Sequence, residues 1–112
     1  MQKAIEKFPN NENAPNSQVF IAQIYATMEE IDKAISAYRK VAMNKTYNYD
    51  MRRAAQYYVA KLYESKKNNI EQAIVEYEKL LKDFPELHIR PDHPSNDVDE
   101  SFIEDLKHKV KR

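Results

Sequence analysis

The chain has 112 residues, 42% of them apolar and 32% charged, with 18 basic and 18 acidic side chains that cancel. One small globular domain fits this length, and the interspersed, balanced charge argues against a polyanion surface, so nucleic acid is not an expected partner. Without Cys there is no disulfide or thiolate chemistry, and without Gly there are no glycine loops to cradle phosphates, so no cofactor is expected. No apolar run approaches the ~20 residues of a membrane span, so no membrane insertion is expected. Cytoplasm and bacterial periplasm both remain open as compartments.

Residues 1–9, MQKAIEKFP, place Met1, Ala4, Ile5 and Phe8 at helical spacing, and Pro9 ends the pattern. A polar loop follows. Pro15 suits a helix first turn, and Phe20, Ile21, Ile24, Tyr25 and Met28 predict an amphipathic helix from residue 16 to 28. Glu29 and Glu30 mark a tight turn. Ile31, Ala34, Ile35, Tyr38, Val41 and Ala42 then predict a second helix to about residue 43. After a linker at 44–49, Asp50 is the expected N-cap of a third helix with Ala54, Ala55, Tyr58, Val59, Leu62 and Tyr63 inward. Asn69 and Gln72 fit a capping box opening a fourth helix, with Ile70, Ala73, Ile74, Tyr77, Leu80 and Leu81 inward and a stop at Phe84-Pro85.

Residues 86–94, ELHIRPDHP, cannot hold a helix with Pro91 and Pro94 so close. Leu87 and Ile89 alternate with polar residues, so an extended segment lying over the last helix pair is expected. Asn96 or Asp97 is the expected start of a final helix carrying Val98, Phe102, Ile103, Leu106 and Val110 on one face. Its acids come first and its bases last, which matches the helix dipole.

The chain repeats itself. QVFIAQIY at 18–25 and DKAISAYRKV at 32–41 return as QYYVAKLY at 56–63 and EQAIVEYEKL at 71–80, a period of 38–39 residues. Phe8-Pro9 precedes Phe84-Pro85 by 76 residues, twice 38. The expected layout is the second helix of an incomplete repeat at 1–9, repeat 1 at 15–43, repeat 2 at 50–85, an extended linker at 86–95 and a capping helix at 96–112. On this reading the array opens mid-unit. The fold class is all-α, and each unit buries its apolar face on its neighbours.

These units resemble the tetratricopeptide repeat. The matching positions are Ile21, Ala22, Tyr25, Ala34 and Tyr38 in the first unit, and Val59, Ala60, Tyr63, Ala73, Tyr77 and Pro85 in the second. The resemblance implies antiparallel helix pairs stacked as a right-handed α-solenoid. In it Ala22, Tyr25, Ala34, Tyr38, Ala60, Tyr63, Ala73 and Tyr77 are the packing signature. Gln18 and Gln56 stand where tryptophan is usual and Thr46 where a proline is, which suggests a divergent bacterial-type array. The Phe-Pro endings look similar to those of envelope assembly lipoproteins and the periplasmic Tol–Pal coordinator.

The resemblance also implies a non-catalytic scaffold that binds another protein or a peptide. The first helices of its units line a groove. Carried over, the groove positions are Asn16, Val19, Gln23, Thr27, Ala54, Tyr57, Lys61 and Glu64, with Phe20 and Tyr58 weighed as inter-repeat core. Tyr57 is the stronger aromatic groove candidate. The family's carboxylate clamp of Lys and Asn is not matched by Val19, Gln23 and Tyr58. The open N-terminal end is an expected partner-binding surface beside the groove, and the alternative is a structural subunit that assembles with copies of itself through its repeat ends, the incomplete N-terminal repeat among them. His88, Asp92 and His93 are the only cluster with metal-ligand chemistry, and their spacing is no zinc signature, so they read as surface-loop residues and no metal is expected. Ser17, Ser36, Ser65, Ser95 and Ser101 have no paired base in sequence, and no catalytic residue is expected.

Overall fold

A computed structural model of the chain describes residues 14–111, with side chains for 18–110. The helix expected at 1–9 and the side chain of Asn16 lie outside these. The elements are α1 (Ala14–Thr27), α2 (Ile31–Met43), α3 (Tyr49–Ser65), α4 (Ile70–Asp83), a 3-10 turn (Pro94–Asp97) and α5 (Glu100–Lys111), with no strand among the described residues. Each helix packs on the next in the chain. The all-α helix-pair class is therefore observed.

Short turns force α1–α2 and α3–α4 into hairpins. Each turn needs one residue in the left-handed region, and with no glycine available Glu29 (φ 63°) and Asn68 (φ 52°) occupy it. In the first hairpin Glu30 N–H donates to Tyr25 C=O at 2.8 Å; in the second Asn69 N–H donates to Tyr63 C=O at 2.9 Å. The same tyrosine carbonyl is capped twice, across a turn one residue longer the second time. The extra residue of the second unit is absorbed there, leaving the helices in phase.

Two expected caps move. Asn48, not Asp50, caps α3, its Oδ1 accepting from Met51 N–H at 2.9 Å. Asp50 in the first turn instead accepts from Ile89 N–H at 3.2 Å. The last helix starts later than expected: Asn96 and Asp97 belong to the 3-10 turn, and Asp99 Oδ1 accepts from Phe102 N–H at 2.8 Å, an N-cap bond. Asn69 does cap α4, accepting from Gln72 N–H.

Two apolar cores flank α3. One gathers Ala22, Ala34, Ile35, Tyr38, Val41 and Val59; the other gathers Tyr57, Ala60, Ala73, Tyr77, Leu80, Phe84, Ile103 and Leu106. The four signature alanines are fully buried, and Tyr25 and Tyr63 are half-buried against the first core. Tyr38 meets Tyr58 of the following helix at 5.2 Å between ring centroids, and Tyr77 meets Phe102 at 4.9 Å. Burial, then Tyr58, pushes the Tyr38 phenol up to about 12. These two tyrosines are equivalent, so α5 stands where the first helix of a third unit would.

Because α3 is covered on both sides, two of its polar residues, Arg53 and Gln56, are buried as well. Gln56 Nε2 donates to the Glu76 carbonyl at 2.9 Å and to Glu76 Oε1 at 3.0 Å. Arg39 grips both carboxylate oxygens of Glu76 at 3.3 and 2.8 Å, and Gln72 adds a bond at 2.8 Å. One buried carboxylate thus ties α2, α3 and α4 together. The glutamine standing in a tryptophan position is one of its donors.

Candidate functional site

The segment between α4 and α5 does not trail over the surface. Arg53, wholly buried, donates from Nε to Phe84 C=O at 3.1 Å and from Nη1 to Ser95 Oγ at 2.7 Å. Tyr49 Oη donates to Glu86 C=O at 2.7 Å. Asn96 holds the loop's own shape, accepting from His88 N–H at 2.7 Å and donating to Arg90 C=O at 3.0 Å. The segment is thereby strapped onto the N-terminal half of α3.

The strap turns the space beside α1 and α3 into a groove of about 400 Å³. Val19 and Gln23 of α1, Tyr38 of α2, and Asn48, Asp50, Met51, Ala54, Ala55 and Tyr58 at α3 form its floor and sides. His88, Arg90 and His93 of the strap close one wall. An apolar and aromatic lining with a few polar groups suits an extended peptide.

Of the expected groove residues, Val19, Gln23 and Ala54 line this space. Tyr57 does not: it is 8% exposed, packed between Tyr58, Tyr77 and His93. Burial first, then the charges of Tyr58, Glu64 and Asp97, push its phenol up. The neighbouring Tyr58, read as core, packs against both apolar cores and also lines the groove, as Tyr38 does. Thr27 is exposed a turn away, its Oγ1 donating to Gln23 C=O. Lys61 is exposed and lines no part of the groove, and Glu64 is occupied by the Tyr77 hydroxyl at 2.8 Å. Phe20, weighed as core, is 61% exposed.

His93 is buried, not a surface-loop residue, and its ring lies parallel to that of His88 with centroids 4.3 Å apart. Ser95 does find a base: its Oγ is 2.8 Å from His93 Nδ1. A serine hydroxyl on an imidazole has the form of a nucleophile–base pair, but this one is wholly buried and its oxygen already accepts from Arg53. Among the described residues no group of three His, Cys, Asp or Glu side chains is placed to hold a metal, and no helix is long and apolar enough to cross a membrane.

Two family models described as Tetratricopeptide repeat match the chain, one over residues 15–44 and the other over residues 54–86. The chain belongs to the tetratricopeptide-repeat family. The two matches coincide with the α1–α2 and α3–α4 hairpins, while the strap beyond residue 86 and α5 lie outside them. Neither a curated protein nor a solved structure matches the chain significantly. Tetratricopeptide repeats generally mediate protein–protein interaction, and their domains are typically non-catalytic scaffolds.

Proposed function

We propose that this tetratricopeptide-repeat chain binds an extended segment of a partner protein in the groove between α1, α3 and the strap, with no catalytic step of its own. The observation that carries this reading is the groove itself: Tyr38, Tyr58, Met51 and Val19 offer apolar surface beside Gln23, Asn48 and His93 as hydrogen-bonding groups. Aromatic anchors flanked by a few polar groups are the pattern of interface hot spots. Peptides selected from a random library against the chain at pH 7.5 test it. Ala54→Arg, which fills the groove from its side, is expected to weaken them by roughly tenfold or more, as loss of a hot-spot contact does. Peptides that bind Ala54→Arg as tightly as the parent, with the variant folded by circular dichroism, would place the binding surface elsewhere.

A second reading is self-assembly through the outer face of the first repeat. It is favoured by Phe20 in α1 and Met28 in the turn just after it, which are 61% and 60% exposed. Sedimentation should then show association that rises with concentration and is lost in Phe20→Ser. A chain that stays monomeric at high concentration ends this reading and leaves the groove untouched.

A further inference from the structure

We propose that the strap is a proton-released clasp, held on α3 through the neutral His93 imidazole, with His88 stacked on it, and freed when His93 becomes charged. The consequence for ligand entry rests on the groove reading above; the clasp itself does not.

The geometry fixes the protonation state. A backbone N–H can only donate. Arg90 N–H donates to His88 Nδ1 at 3.1 Å, and Ser95 N–H donates to His93 Nδ1 at 3.1 Å. Each Nδ1 is therefore an acceptor, and each neutral ring carries its proton on Nε2. His93 Nδ1 also receives the Ser95 hydroxyl, whose oxygen in turn accepts from Arg53. An imidazolium has a proton on both nitrogens. Charging His93 sets its Nδ1–H against the Ser95 amide and places a positive charge beside Arg53, and so loosens the Arg53 anchor.

The surroundings act in the same direction. His93 faces Arg53, Tyr57 and Tyr58 from α3, and His88, Arg90 and Ser95 from the strap; Asp92 is the carboxylate acting on it, and Asp50 of α3 lines the same groove. That carboxylate is exposed and pairs with Arg90 at 3.6 Å. Burial, then the charges of His88, Arg90 and Arg53, hold the His93 imidazole below its ordinary value of 6.5. A histidine depressed in the fold binds its proton more readily in the released strap. The clasp is therefore fully closed above pH 6.5 and weakens as pH falls through the lower value that His93 has in the fold. On release, His88, Arg90 and His93 leave the groove together, while its α1 and α3 sides stay.

The test follows imidazole and amide signals of the whole chain by NMR from about pH 7.5 to about pH 5, a window in which histidine is the titrating side chain. At the upper end both rings should show the Nε2–H tautomer. On acidification, the hydrogen-exchange protection of the Ser95, Arg90 and Ile89 amides, corrected for the intrinsic rate, should fall by on the order of tenfold relative to Val59 and Leu62 in α3. His88→Asn with His93→Asn keeps a side-chain oxygen to accept the two amides but cannot be protonated, so its strap should keep its protection. An equal fall in the double variant, or a His93 imidazole that charges while the amides stay protected, overturns the clasp. Should the double variant fail to fold, the parent decides: His93 charging and amide loss must share one midpoint, and separate midpoints overturn it. None of these readouts uses a ligand, so a failed clasp leaves the groove reading standing.

Discussion

Tyr77→Ala is expected to be the most damaging single truncation in the described part of the chain, lowering stability by about 3–5 kcal/mol, the range for emptying a buried aromatic site. The side chain is wholly buried. Its ring abuts Phe102 edge-on at 4.9 Å and Tyr57 at 6.2 Å. Its hydroxyl donates to Glu64 at 2.8 Å, and burial, then Glu64, drives the phenol above its ordinary value of 10.0. Alanine here opens a cavity between α3, α4 and α5, and leaves Glu64 without its donor. Tyr77→Phe keeps the ring and removes only the hydroxyl, for which about 1 kcal/mol is the expected loss. Urea unfolding followed by circular dichroism reads both values. In a domain of this size the alanine variant should also melt lower by on the order of 20 °C. If alanine and phenylalanine cost the same, the ring is not what docks α5, and the equivalence of Tyr77–Phe102 with Tyr38–Tyr58 fails.

That equivalence was half visible in the sequence. Ala22, Ala34 and Tyr38 recur in phase as Ala60, Ala73 and Tyr77, because close helix approach and the wedge between hairpins demand those shapes at those places. Local rules placed the four helices and the capping asparagine at α4. They failed where the partner is distant in sequence. Arg53 and Gln56 lie outside the inward set expected for α3, yet both are buried, since their acceptors (Phe84, Ser95 and Glu76) lie 20 to 42 residues away. The strap shows the same limit. Leu87 and Ile89 read as its anchors, but they are 66% and 82% exposed, and the alternate residue His88 faces the groove. A two-residue alternation gives the pattern but not its phase, and here buried hydrogen bonds to Arg53 set the phase. Tyr57 leaves the groove for a similar reason: Tyr77 of α4 and His93 cover the face of α3 on which it lies, and no local signal in the sequence announces that cover.

Glu76→Ala tests the other inter-helix tie and carries the second large expected effect, about 2–3 kcal/mol. Removing one partner of a buried ion pair costs more than that in general, but Arg39 is 31% exposed and can turn to water, which trims the loss. Gln56 keeps its bond to the Glu76 carbonyl, so its amide is not orphaned. Burial by itself would raise the Glu76 carboxyl; the hydrogen bonds from Arg39, Gln56 and Gln72 outweigh it and hold the group below its ordinary value of 4.5. A depressed carboxyl stabilises the fold fully above pH 4.5 and loses that contribution as pH falls through the lower folded value. Glu76→Gln keeps the size and abolishes the titration. Its stability deficit relative to the parent should therefore be largest at neutral pH and shrink below pH 4.5. A deficit that is constant across that range would mean the carboxylate charge is irrelevant to the tie. The two groups act on different parts of the fold: His93, held below 6.5, acts on the strap, and Glu76, held below 4.5, acts on the tie between α2, α3 and α4. With His93 charged and Glu76 still ionised, the chain should keep its helical circular dichroism with the strap released, and only protonation of Glu76 should melt the repeats.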